Sequence, residues 1–313
     1  MPVRSPPITD RAARLFFEGI VDYAGLYPPA SVSMLTAVRN YANYRGSGAA
    51  WLLGRFVCPA NSLAIFSQQA DVFLPRDAGA IPWRLAAVGS GDIVADLEAI
   101  SAFNERHRVC FDEVGAIVDA YEVKATSVDD IDRLDAALPP DLTTYIEVPL
   151  AGDLNPMIAA IAHTGRRAKM RTGGVTPEAF PSGESVVRFL SACIALDVPA
   201  KATAGLHHPM GGAYRLTYEE RPPVGPMFGF LNVFLAAAHI AAGASHDDAM
   251  LLLSEQNPGT LELNEHSIVW RGANGVRHFD RALLQRVRES VLVSFGSCSF
   301  TEPVDETRRL GFV

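Results

Sequence analysis

Cysteine is sparse in this 313-residue chain: there are four, Cys58, Cys110, Cys193 and Cys298, with no CxxC pair and no metal-finger spacing. A disulfide-built fold is thereby excluded, and a reducing, cytoplasmic location is expected, with Cys193 a core residue of a helix. Positive charge is also in short supply, 27 Lys and Arg against 35 Asp and Glu, for a formal net charge of −8. Nucleic acid and anionic membranes both require a basic surface, so neither is expected as a partner. The most apolar run, FGFLNVFLAAAHIAAGA (residues 228–244), is interrupted by Asn232 and His239 and reads as a buried helix rather than a span. The opening residues, MPVRSPPITDRAARLFF, hold no apolar core of signal-peptide length. No Pro- or Gly-rich linker divides the chain, which predicts a single domain over residues 1–313. No GxGxxG, HxH or HExxH is present, and neither a cofactor nor a metal is called for.

What is present is alternation. Seven short apolar segments are candidate strands: GIVDYAGL from Gly19, WLLGRFVC from Trp51, PWRLAAVG from Pro82, AIVDAYEVKA from Ala116, TTYIEVPL from Thr143, RAKMRTGG from Arg167 and PAKATAGL from Pro199. Each is followed by small or turn-forming residues and then by an amphipathic pattern such as DIVADLEAISAFNERH or ESVVRFLSACIAL. The repeat is roughly 30 residues, which predicts an α/β fold of the (β/α)8 barrel type. The candidate eighth strand is GTLELN or SIVWRG, followed by the helix DRALLQRVRESVLV, while SFGSCSFTEPVDE reads as a loop. The Pro- and Gly-rich stretch PMGGAYRLTYEERPPVGPM predicts an inserted loop or hairpin after strand seven.

Residues two apart on a strand share a face. Glu122 and Lys124 form one such pair, Tyr145 and Glu147 a second, Lys169 and Arg171 a third, and Lys201 and Thr203 a fourth. Because the residues between them are apolar, the polar set is expected to point into the barrel. Four cations then face two acids, a surplus that suits a small anion such as a phosphate or carboxylate, with Gly173 and Gly174 letting the backbone approach it. The structural alternative is a set of ion pairs plugging the barrel core.

Two of these segments carry a resemblance. Lys169-Met170-Arg171-Thr172-Gly173 and Lys201-Ala202-Thr203-Ala204-Gly205 resemble the strand-six Lys-Thr-Ser-Thr-Gly and strand-seven Lys-Ala-x-Gly-Gly of class I aldolases of the deoxyribose-phosphate aldolase type. Their lysines are 32 residues apart, a similar spacing. The resemblance implies that Lys169 forms a Schiff base with a carbonyl substrate and that Lys201 lowers its pKa. Glu147 or Glu122 would then move the proton at the neighbouring carbon. Arg171 departs from the small residue of that pattern, and no strand-eight phosphate loop of that family is recognisable.

Further candidates are His207 and His208 after strand seven, as substrate-binding groups, and Arg55 on strand two, as an anion contact or an outward packing residue. Asp22 would pair with an interior cation or cap a turn, and Tyr23 and Tyr27 lie near the mouth. A metal-assisted lyase or hydrolase using Glu122, Glu147 and His207 is the rival chemistry, and a non-catalytic anion-binding barrel is the rival outside enzymology. Cys298 has no evident histidine partner, so a thiol nucleophile is not expected. Asn232 and His239 are expected to be satisfied within the core, and self-association into a homo-oligomer is left open.

Overall fold

The computed structural model describes residues 12–77, 80–109 and 115–313. The N-terminal segment to residue 11 and Cys110 lie outside them. Eight parallel strands close into a barrel: β1 (Val21–Tyr23), β2 (Leu53–Pro59), β3 (Trp83–Val88), β4 (Ala116–Lys124), β5 (Thr143–Glu147), β6 (Arg167–Arg171), β7 (Ala200–Thr203) and a last strand at Leu292–Ser297. Helix α1 (Ala12–Phe17) precedes β1, and the helices between successive strands from β1 to β7 are α2 (Met34–Arg45), α3 (Leu63–Ala70), α4 (Ile93–Val109), α5 (Val128–Ala137), α6 (Asn155–Thr164) and α7 (Gly183–Ala195). The architecture is the (β/α)8 barrel.

Local chemistry sets the unit boundaries. Ser33, Ser127 and Ser182 are N-caps, each accepting a backbone N–H in the first turn of α2, α5 and α7, and Asp130 completes a capping box with Ser127. Gly165, at φ +67°, ends α6 in the left-handed conformation and turns the chain into β6. Strands such as β5 are buried nearly throughout, as parallel strands covered by helices must be. Val57, Ala86, Ala120 and Tyr145 form a small apolar cluster of their own, apart from the main core.

Between β7 and the last barrel strand the chain makes a long excursion. It forms a two-stranded hairpin, β8 (Gly212–Arg215) with β9 (Val224–Met227), as the Pro/Gly-rich stretch predicted. Helices α8 (Phe230–Ala241) and α9 (His246–Leu253) follow, then an antiparallel sheet of β10 (Leu261–Leu263), β11 (Ser267–Gly272) and β12 (Gly275–Asp280). The apolar run is the buried helix α8, whose Phe230 stacks on Phe295 at 4.9 Å. Asn232 is satisfied there by Gly211, Leu252 and Glu255, whereas the Nε2 of His239 is buried with no hydrogen-bond partner among the described residues.

The eighth barrel strand differs from both candidates. GTLELN and SIVWRG supply β10 and β11, which pair outside the barrel. The barrel is closed by β13 (Leu292–Ser297), which pairs β7 on one side and β1 on the other. Helix α10 (Arg281–Arg286) widens into a π turn over Val287–Val291 and enters β13 at Leu292 without a Gly or Pro break, so the helical pattern conceals the strand. Helix α11 (Thr301–Arg309) follows.

Candidate functional site

The charged residues meet where strand register places them. Lys124 lies opposite Glu147, Glu147 opposite Lys169, and Lys169 opposite Lys201, on β4 through β7. Lys169 Nζ lies 2.8 Å from Glu122 Oε2 and 2.8 Å from Glu147 Oε2. Lys201 Nζ donates to Glu122 Oε1 and to Asp22 Oδ2, both at 2.6 Å. Asp22 also accepts from Ser294 Oγ at 2.8 Å and from the Arg55 backbone N–H at 2.7 Å. Asp22 is thus a full member, a third acid that reduces the expected surplus of positive charge to one: Lys124, Lys169, Arg171 and Lys201 against Asp22, Glu122 and Glu147. An acid at the centre of the wholly buried strand VDY is the sequence feature that points to it.

The electrostatics follow from this pairing. Burial alone would raise the Glu122 carboxyl, but the Lys169 and Lys201 ammoniums outweigh it and hold it down at about 2. Burial likewise opposes ionisation of Asp22 and Glu147, yet Lys201 and Arg55 lower the first, and Lys169, Arg171 and Lys124 lower the second. Burial would also discharge Lys201, which is 1 % exposed, but Asp22 and Glu122 raise its pKa and keep it an ammonium. Its Nζ additionally sits 5.3 Å over the Tyr145 ring. The Tyr27 hydroxyl is buried with no hydrogen-bond partner among the described residues, and burial, then Cys58 and Glu122, raise its pKa.

At the C-terminal ends of β4, β5 and β6 opens a cavity of about 350 Å³, lined in part by Lys124, Glu147, Arg171 and Phe180. Lys124 and Arg171 are the outer members, with side chains 72 % and 50 % exposed. Arg171 Nε lies 3.5 Å from Glu147 Oε1. Lys169 is the next residue inward past Glu147, which stands between its amine and the cavity.

Other expected site residues sit elsewhere. Arg55 is neither an anion contact nor an outward packing group: its guanidinium is fastened to Asp119 at 2.6 and 3.1 Å near the start of β2, beside Arg84. Gly173 and Gly205 are pressed together, since a Cβ on Gly173 would lie 2.9 Å from the Gly205 Cα and 2.4 Å from the Phe180 ring. A Cβ on Gly174 would meet that of Ala179 at 2.7 Å. These glycines serve loop-to-loop packing, not an open cradle for a ligand. Thr203 stands at the end of β7 opposite Arg171 and Gly296.

His207 and His208 do not join the lysine cluster. His207 Nδ1 is 2.9 Å from Glu302 and His208 Nδ1 is 2.8 Å from Glu306, both acids of α11. They line a different cavity, beneath the β8–β9 hairpin. Glu122, Glu147 and His207 therefore do not converge, and among the described residues no group of three or more His, Cys, Asp or Glu is arranged to hold a metal ion. No helix among the described residues is long and apolar enough to cross a membrane. No protein-family model, curated protein or solved structure matches the chain.

Proposed function

We propose that the barrel is a carbon–carbon lyase that works through a Schiff base at Lys169 on a small carbonyl compound carrying a carboxylate or phosphate. The observation behind this reading is the bridge Lys169–Glu122–Lys201 with Glu147 on the cavity side of Lys169. An amine must shed a proton before it attacks, and a carboxylate within hydrogen-bond reach, 2.8 Å away on Glu147, can receive it. Both carboxylates are held ionised by neighbouring cations, but Glu122 is bridged between two buried ammoniums while Glu147 lines the cavity, so Glu147 takes the proton. Lys169 then adds to the carbonyl carbon, and Glu147 gives its proton to the resulting hydroxyl, which departs as water and leaves an iminium. The iminium draws electrons from the adjacent carbon–carbon bond; that bond breaks as Glu147 takes the proton of the β-hydroxyl, and an aldehyde departs. Glu147 returns a proton to the enamine carbon, and water hydrolyses the iminium to restore Lys169. Arg171, half exposed on the cavity wall, suits the anionic end of the substrate.

Borohydride reduction in the presence of small 2-oxo acids and phosphorylated aldehydes tests the reading. A reduced adduct mapped to Lys169, and loss of adduct and turnover in Lys169→Leu, is the expected result. No adduct across the panel, with turnover intact in Lys169→Leu, sinks it. A second reading, anion binding without chemistry, is favoured by the complete pairing and burial of Lys201. Stabilisation by organic acids or phosphate with no turnover would select it.

A further inference from the structure

The cavity under the β8–β9 hairpin, about 380 Å³, has a chemical character unlike that of the lysine cluster. His207 Nε2 lies 4.0 Å from Cys298 Sγ, just past the end of β13, and its Nδ1 lies 2.9 Å from Glu302 Oε2 in the first turn of α11. A thiol, an imidazole and a carboxylate thus stand in line, each ring nitrogen assigned to a different partner. Tyr218, from the turn joining β8 and β9, donates to the same Glu302 oxygen at 2.9 Å and approaches Cys298 Sγ at 3.7 Å. Nothing in the lyase reading uses these groups.

We propose that Cys298 is a nucleophile for acyl transfer, with His207 as its proton partner and Glu302 orienting the imidazole. Such an order of groups is what thiol acyl-transfer chemistry requires. The protonation of His207 supports it: burial would lower its pKa, but Cys298 and Glu302 outweigh burial and raise it to about 9. The groups facing His207 are Cys298, Glu302 and Tyr218, with His208 and its partner Glu306 alongside. Burial pushes the Cys58 thiol up to about 12 and raises that of Cys193, and among the described residues neither has a histidine partner. His207, Tyr218 and Glu302, the neighbours of the buried Cys298, line the cavity, and Pro29, Tyr214, Leu216 and Met227 give it an apolar wall that fits an ester or thioester with an apolar acyl group.

The step balances without a further reagent. The Cys298 sulfur adds to the acyl carbon, the carbon–sulfur bond forms, and the bond to the alcohol or thiol breaks. His207 Nε2 gives its proton to that leaving group. Water then adds to the thioester, His207 takes one of its protons, the carbon–sulfur bond breaks, and a carboxylic acid departs.

The test uses the full chain with 4-nitrophenyl acetate and, separately, iodoacetamide. Expected are a burst of about one nitrophenolate per chain and a hydroxylamine-sensitive acetyl group mapped to Cys298 and lost in Cys298→Ser. Alkylation of Cys298 should be faster than that of Cys58 and Cys193, whose thiols burial holds protonated. Both reactions should fall about 100-fold in His207→Phe, and the pH dependence of alkylation, set by the imidazole, should shift in Glu302→Gln. Acetylation confined to lysines, or a Cys298 that alkylates no faster than Cys58 and Cys193 or at an unchanged rate in His207→Phe, overturns the proposal. If His207→Phe does not fold, the comparison of the three thiols in the wild type decides alone. The thioester at Cys298 and the reduced adduct at Lys169 lie on different peptides, so either reading can fail without the other.

Discussion

Lys169 and Lys201 stand opposite each other on β6 and β7 and hold the two oxygens of one carboxylate, Glu122. Two buried ammoniums side by side would repel, so the bridge determines whether this wall of the barrel stands. Glu122→Gln keeps the shape and removes the charge. It is expected to destabilise the fold by about 3–5 kcal/mol, as for other buried pairs stripped of one partner. Urea denaturation measures this, and a loss below about 1 kcal/mol would mean that Asp22 and Glu147 suffice.

Acid should loosen the protein. The Glu122 carboxyl sits at about 2, and those of Asp22 and Glu147 are also lowered. Their unfolded values lie near 4, so the unfolded chain takes up protons first as the pH falls. The stability that these acids contribute is complete above about pH 5 and disappears between there and about pH 2, with Glu122 accounting for on the order of 3 kcal/mol. Lys201 has the opposite sign: its raised pKa contributes fully below about pH 10 and is lost only in stronger base. Urea midpoints across the acid range should show this slope, and a flat profile would contradict it.

Gly205 should not tolerate a side chain. Its φ is +74°, and an added Cβ would lie 2.8 Å from the Gly173 Cα, a backbone atom that cannot swing aside. Gly205→Ala is expected to cost about 1–3 kcal/mol, combining backbone strain with the clash. Thermal denaturation checks it, with Gly152→Ala as a comparison that shares the positive φ (+79°) but has open space around it.

Arg171→Ala separates recognition from chemistry. The guanidinium lines the cavity and its nearest acid oxygen, on Glu147, is 3.5 Å from Nε, so it is only loosely held. If it binds the anionic end of the substrate equally in ground and transition states, KM should rise about tenfold or more with kcat unchanged. A fall in kcat alone would instead assign it to Glu147 and the proton.

The barrel was legible in the sequence because its first seven strands are bounded by small residues and followed by clear helical periodicity. β13 was not, because the helical spacing of Leu284, Val287 and Val291 runs straight into Leu292 and Val293 with no Gly or Pro to mark where the helix stops. Meanwhile SIVWRG and its Asn274-Gly275 turn read as a strand and are one, but in the outer sheet. Within the site, two-residue alternation brought Glu122, Glu147, Lys169 and Lys201 together, since strand register is local. The pairing of Cys298 with His207 spans 91 positions, and the Gly173–Gly205 contact depends on how two loops pack. No pattern along the chain encodes either.

The position of β13 also bears on how the molecule assembles. The strand hydrogen-bonds β7 and β1 at once, and residues 204–291 come between β7 and it. Until β13 is made, the first seven strands form an open sheet with two unpaired edges, the kind of surface on which chains pair with one another. Closing it joins residues far apart in the chain, a contact that forms slowly because a long loop must be ordered first. Ser294, on the closing strand, donates to Asp22 on the first. The buried charge cluster is therefore complete only once the barrel is shut, so folding and assembly of the site share a final step.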